Sequence, residues 1–129
     1  MTSSPSVRIG SHTISRDERP FVIAEMSGNH NGRLERALAI VDAVAASGAQ
    51  ALKIQTYTPD TITIDVDTPA FRVADEHGLW GGRNLYQLYQ EAHTPGEWHK
   101  PNFDRDREGG LVPVSSPVHP QANRHPGAV

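Results

Sequence analysis

The chain has 129 residues, enough for one domain or part of a larger one, and a lean 36% of them are hydrophobic. Fifteen acidic against twelve basic side chains leave a net charge of -3, which excludes the basic footprint of a nucleic-acid or anionic-membrane binder. There is no cysteine, so disulfides and thiolate metal sites are excluded, and no apolar run approaches the ~20 residues that span a bilayer.

The opening "MTSSPSVRIGSHTISRDERP" lacks the apolar core of a secretion signal, so a cytoplasmic protein is expected. Within it, "VRIGSHTIS" reads as two very short strands around a Gly-Ser turn. "FVIAE", Phe21 to Glu25, is compact and apolar and predicts a buried strand. "MSGNHNG" is a polar loop. Leu34, Ala37, Leu38, Val41, Val44 and Ala45 then recur at helical spacing. Asn31 is the expected cap of that helix, and Gly48 its left-handed terminus. "ALKIQT", Ala51 to Thr56, predicts the next strand. Strand, helix and strand make a βαβ unit whose strands run parallel.

Tyr57 to Arg83 is long and irregular, with "TITID" and "FRV" as candidate short strands; a loop this long is usually functional. "NLYQLYQEA" predicts a helix whose Asn84 and Gln87 form a variant capping box. "TPGEWHK" predicts another, with Thr94 as cap, Pro95 at its first position and Glu97 three residues after the cap. Pro101 is expected to kink or end it. "GLVPVSS" predicts a third strand, against which Pro113 argues, because a central parallel strand needs that amide. "PVHPQANRHPGAV" has no period and reads as a disordered tail. The organisation expected is a hairpin lead-in over 1–20, a barrel-like portion over 21–117 and a tail over 118–129.

Alternation in "ALKIQT" puts Leu52 and Ile54 on one face and Lys53 and Gln55 on the other. In "FVIAE", Phe21, Ile23 and Glu25 share a face. If helices cover Leu52 and Ile54, Lys53 points away from them, and a desolvated lysine costs several kcal/mol unless paired. Three readings stand. The face is partly solvated, or Lys53 makes a structural ion pair with Glu25. Alternatively the sheet closes into a parallel barrel whose interior is this face, with Glu25 and Gln55 at the C-terminal rim where such barrels do chemistry. A doubly wound sheet would cover both faces and leave Lys53 unexplained. Asn29, His30 and Asn31 at that rim suit hydrogen bonding to a polyhydroxylated ligand, or simply a turn. Seven histidines are scattered without paired spacing, so no metal site is assigned. Ser115 and Ser116, ending the third strand, are candidate hydroxyl donors to a phosphate or carboxylate.

The run "FVIAEMSGNHNGRLERALAIVDAVAASGAQALKIQTYTPDT", with "LYQLYQEAHTPGEWHKP" downstream, resembles the N-terminal part of the sialic acid synthase family, nearest its pseudaminic acid-forming branch. The resemblance runs from about Val7 to Pro117. It implies an α/β fold, the first three or so βα units of a (β/α)8 TIM barrel. It implies condensation of phosphoenolpyruvate with an N-acetylated amino sugar aldehyde, a divalent Mn2+ or Mg2+ ion, and a homodimer in the full-length family. It makes Glu25 the candidate general acid/base, Lys53 the cation for phosphoenolpyruvate, Gln55 a sugar contact, and Ser115 and Ser116 hydroxyls near the phosphate. Asn29, His30 and Asn31 would shape the sugar side of the pocket. The family's metal-binding histidines lie on later strands, so their ligands are absent here. Beyond Pro117 the sequence departs from the family pattern and reads like a frameshifted or truncated end. Asn102, Asp106 and Gly109 fall where the family's helix is apolar. Three strands cannot close a barrel, so the isolated chain is expected to be inactive and poorly folded. Neuraminate or legionaminate synthesis, and a non-catalytic interaction module, are the alternatives.

Overall fold

The structure is a computed structural model that describes residues 4–74, 77–78 and 80–120. Strands β1 (Val7–Ile9) and β2 (His12–Ile14) form an antiparallel hairpin, registered Val7 to Ile14. Its turn uses Gly10 at φ 58, the left-handed region open to glycine. β3 (Ile23–Glu25), β4 (Ala51–Thr56) and β5 (Val112–Pro117) form a separate parallel sheet in the order β3-β4-β5. Helix α1 (Leu34–Ser47) crosses from β3 to β4. From β4 the chain passes through α2 (Pro59–Ile62), α3 (Leu85–Ala92) and α4 (His99–Glu108) to β5. The expected βαβ unit is therefore present, and the third strand extends it in parallel.

The core lies on one side of this sheet. Leu52 and Ile54 of β4 are wholly buried with Met26, Ala37, Val41, Phe103 and Leu111, beneath α1 and α4. Ile23, on the opposite face, stays 46% exposed. Helices thus cover one face only, which is the first arc of a barrel and not a doubly wound sheet.

Pro113 costs this sheet no hydrogen bond. Val112 N–H donates to the Gln50 carbonyl at 2.9 Å, and Val118 N–H to the Thr56 carbonyl at 3.1 Å. Even-numbered amides of β5 therefore face β4, and Pro113 and Pro117 sit where the missing amide would point to the open edge. Val118 to Pro120 are exposed; the rest of the expected tail lies outside the described residues.

Several local expectations change. Arg33, not Asn31, precedes the first residue of α1, and no side chain caps it. Successive turns from Met26 to Arg33 carry the chain past Asn31, which sits at φ 50. Gly48 ends the helix at φ 85, as predicted. "TITID" and "FRV" do not make strands. Pro59 opens a helical turn locked by the reciprocal Thr58–Thr61 box, and Arg72 makes a single bridge to Asn84. Asn84 and Gln87 do form the predicted box on α3, with Gln87 N–H donating to Asn84 Oδ1 at 2.8 Å. Thr94 caps nothing: Pro95 leads into a 3-10 turn, Gly96–Trp98, and α4 starts only at His99. Pro101 neither kinks nor ends that helix. As its third residue it lies in the first turn, where an amide has no intrahelical partner to lose.

α4 packs on α1 at short range. A Cβ on Gly109 would stand 3.0 Å from that of Ala45, and Arg105 grips Asp42 bidentately at 2.7 and 2.9 Å. The buried face of α4 carries Asn102 and Asp106, one turn apart. Asn102 Nδ2 donates to the Trp98 carbonyl at 2.8 Å, but its Oδ1 and both Asp106 carboxyl oxygens have no partner among the described residues. Burial pushes the Asp106 carboxyl up to about 7, against the smaller opposing effect of Arg107.

A pH dependence follows. The folded carboxyl titrates above its unfolded value, so the protein gains most from it below pH ~4 and loses that gain as pH rises toward 7. Asp106→Asn is expected to flatten this decline and to be more stable than the parent at pH 8 by about 1–3 kcal/mol. Urea unfolding from pH 4 to 8 measures it; parallel profiles for the two proteins would show Asp106 to be already charged in the fold.

Candidate functional site

The site begins with the side of β4 that the core leaves free. Because Leu52 and Ile54 face the helices, Lys53 and Gln55 face the other way. The parallel register sets Glu25 against Lys53, and Gln55 against Ser116. Lys53 Nζ lies 2.8 Å from Glu25 Oε2, with the side chains 34% and 35% exposed. An ion pair this wet is worth only about 0.2–1 kcal/mol, so stability is a poor reason for it. Glu25 Oε1 accepts the Ser27 amide at 3.2 Å, which fixes the carboxylate. Lys53 spends one of its three donors on Glu25 and presents an oriented ammonium on the open face. Such a pair can hold an anion at the lysine and take a proton at the carboxylate.

Ser115 and Ser116 part company. Ser116 shares the Lys53 face. Ser115 is registered with Ile54 and points into the helix layer, where its hydroxyl makes a short contact with Thr56 Oγ1. Thr56 Oγ1 also meets His99 Nε2 at 2.6 Å, and His99 Nδ1 lies 3.1 Å from the Gly96 carbonyl. In the neutral imidazole, Nδ1 donates to that carbonyl and Nε2 accepts from Thr56, so that Ser115 in turn donates to Thr56. This directed chain ties the ends of β4 and β5 to α4.

The loop Ser27–Asn31 is built around His30. The imidazole is fully buried and stacks edge-on against Trp98, with centroids 5.3 Å apart. Nδ1 accepts the Gly32 amide at 3.1 Å, so Nε2 carries the proton and donates to Thr94 Oγ1 at 3.3 Å. Burial first, and His93 second, hold its pKa below the ordinary value. His30 is thus a neutral anchor whose two nitrogens are both engaged. Asn29 Nδ2 donates to the Met26 carbonyl at 2.9 Å. Asn29, Asn31, Gln55 and Tyr57 line one cleft of about 430 Å3. The structure therefore brings Glu25, Lys53, Gln55 and Ser116 together on one face, with Asn29 and Asn31 at its rim, and holds His30 and Ser115 behind them.

Residue-by-residue reading missed Tyr57, although its signal was available: it continues the Lys53–Gln55 alternation. Its ring meets Tyr89 edge-on at 5.5 Å, and burial, then Tyr89, push its hydroxyl up to about 12. Arg36, Trp80 and Tyr89 also line the cleft and carry no local signal, since separate segments deliver them. Among the described residues no three His, Asp or Glu side chains converge as metal ligands, and no helix is long and apolar enough to cross a membrane.

Comparison with known proteins bears on this geometry. Residues 40–124 match the NeuB family. The chain is 46% identical over 101 residues to a pseudaminic acid synthase of Campylobacter jejuni, covering 78% of this chain and 29% of that protein. It is 42% identical over 103 residues to the Helicobacter pylori pseudaminic acid synthase, covering 80% and 30%. The chain thus spans under a third of the length of these relatives. Among solved structures, an N-acetylneuraminic acid synthetase from Leptospira borgpetersenii, in complex with citrate, superposes with a TM-score of 0.72 at 21% identity. That match covers 95% of this chain and 37% of the other and speaks for the fold. A spore coat polysaccharide biosynthesis protein, SpsE of Bacillus subtilis, gives 0.64 at 27% identity, covering 92% and 29%.

Thr56→Val tests the hydroxyl chain. It removes the hydroxyl that His99 Nε2 and Ser115 share, and should cost about 1–3 kcal/mol in unfolding free energy without changing the denaturant slope. A loss under 0.5 kcal/mol would mean that the chain does not hold the strand ends.

Proposed function

The chain belongs to the NeuB family, and on that premise we propose that it forms the first βα units of a nonulosonic acid synthase of the pseudaminic acid type. The reaction condenses phosphoenolpyruvate with an N-acetylated amino sugar aldehyde, releasing phosphate. One observation carries the reading: an ammonium and a carboxylate 2.8 Å apart on the helix-free face, beside the C-terminal ends of parallel strands.

Lys53 binds the anionic end of phosphoenolpyruvate through the donors that Glu25 leaves free. The enol carbon attacks the aldehyde carbon, whose oxygen takes up a proton and becomes a hydroxyl. Water adds to the cationic carbon left behind, its proton passing to a base for which Glu25 is placed. Collapse of that adduct breaks the C–O bond, phosphate leaves, and the 2-keto acid remains. Gln55 and Ser116, on the same face, orient the substrates by hydrogen bonding. A divalent ion would polarise the aldehyde. The described residues offer no ligand cluster for it; on this reading its ligands belong to the part of the relatives that this chain does not span. The homodimer belongs to the same reading.

The pseudaminic acid branch is preferred on extent of similarity. An N,N'-diacetyllegionaminic acid synthase from Legionella pneumophila is 50% identical, but over 42 residues only.

Calorimetric titration of the chain with phosphoenolpyruvate tests the proposal. Lys53→Met should weaken binding at least tenfold, the loss of one charge-assisted contact, while Glu25→Gln should keep binding within a few-fold. Equal affinity in parent and Lys53→Met would remove Lys53 from the site. The 129-residue chain alone should release no phosphate from phosphoenolpyruvate and N-acetylated aldehyde, because three strands leave the Lys53 face open to water; steady turnover in a phosphate assay would refute that part.

A further inference from the structure

Gln55 and Ser116 stand opposite each other on the open face, and neither side chain has a hydrogen bond to another described residue. Among those residues, nothing in front of the sheet sets their spacing. What sets it lies behind. Thr56 follows Gln55 and Ser115 precedes Ser116, and alternation turns both hydroxyls to the helix side. Register makes them a diagonal pair, with Thr56 opposite Pro117 and Ser115 opposite Ile54, and the two hydroxyls meet directly. The ladder ends here: beyond the bond from Val118 N–H to the Thr56 carbonyl at 3.1 Å, no backbone bond joins the two segments among the described residues. The end of a ladder opens more readily than its middle, so the rear pair matters most at this level.

That pair is itself held by α4. Thr56 Oγ1 meets His99 Nε2 at 2.6 Å, and His99 Nδ1 lies 3.1 Å from the Gly96 carbonyl. His99 is 1% exposed, and its ring meets Phe103 edge-on with centroids 5.8 Å apart. It is the first residue of α4, which Arg105 fastens to α1 through Asp42. The ring is thus fixed in the helix layer with its acceptor nitrogen aimed at Thr56. Thr56 donates to His99 and accepts from Ser115, so loss of that acceptor frees both hydroxyls to turn. A proton relay to substrate would be another use for such a chain, but Ser115 lies on the far side of the sheet from Lys53.

We propose that His99 is a positioning residue for the anion site: through Thr56 and Ser115 it sets the separation of Gln55 and Ser116, and so brings the Ser116 hydroxyl to the anion that Lys53 holds. The inference rests on the synthase reading and adds to it a residue on α4 that touches no substrate.

Two substitutions separate this role from packing. His99→Gln offers a carbonyl oxygen near the place of Nε2, able to accept from Thr56. His99→Asn offers an amide nitrogen near the place of Nδ1 and leaves nothing to reach Thr56. Both replace a buried ring, so urea unfolding should show both destabilised. Phosphoenolpyruvate affinity, titrated calorimetrically in the full chain, should fall about fivefold in His99→Asn, the loss of one neutral hydrogen bond, and stay within about twofold in His99→Gln. Thr56→Ser, which keeps the hydroxyl, should also stay within about twofold, and Thr56→Val should match His99→Asn; this second pair decides the matter if a His99 variant does not fold. Because His99 acts through Ser116, adding Ser116→Ala to His99→Asn should weaken binding no further than Ser116→Ala alone. Affinity that falls equally in His99→Gln and His99→Asn, affinity unchanged in both, or additive losses in the double variant overturns the inference. Binding that depends on Lys53 but is indifferent to Thr56 and His99 removes the positioning role and leaves the synthase reading. No binding by the parent chain removes that reading and this inference with it.

Discussion

The two-residue period of β4 is the constraint on which the rest of this structure depends. Leu52 and Ile54 are wholly buried beneath α1 and α4. A strand cannot bury those two side chains and also turn Lys53 and Gln55 inward, because neighbours alternate across the pleat. A slip of one residue would drive the ammonium into the apolar layer at a cost of several kcal/mol, which fixes the register firmly. Parallel pairing then sets Glu25 beside Lys53 without further instruction. The core and the site are thus two consequences of one alternation.

Much of the scaffold's precision comes from polar groups behind the sheet. His30 and Thr94 join the loop after β3 to the segment before α4, and Thr56, His99 and Ser115 join the ends of β4 and β5 to that helix. In so lean a core these contacts place the rim loops where apolar packing alone would leave them free, because hydrogen bonds are directional and dispersion is not. Asn102 and Asp106 are the exception: they are buried on the α4 face with oxygens that no partner among the described residues satisfies, and the raised pKa of Asp106 ties the fold's stability to pH.

What was readable in the chain and what was not divide along a physical line. Helix α1, strand β4 and the Asn84–Gln87 box were legible because periodicity and capping are local. The start of α4 was not. Thr94 and Pro95 offer good local capping chemistry, but Thr94 is claimed by His30, 64 residues earlier, and a 3-10 turn intervenes. Pro113 argued against β5 until the donor side of each β5 amide was known. The two candidate serines looked equivalent in sequence; the β4–β5 register separates them onto opposite faces.

From the residues alone came the βαβ order, the polar face of β4, the pairing of Lys53 with Glu25 as one of the options and the resemblance to sialic acid synthases, since each rests on spacing within a short window or on a motif. Tertiary structure decided which face the helices cover, that His30 and Ser115 serve the scaffold's interior, and that Arg36, Tyr57, Trp80 and Tyr89 meet around one cleft. Those outcomes depend on contacts between segments far apart in the chain. A side chain's local sequence sets its direction along its own element, but what lies in that direction is settled only when the elements pack.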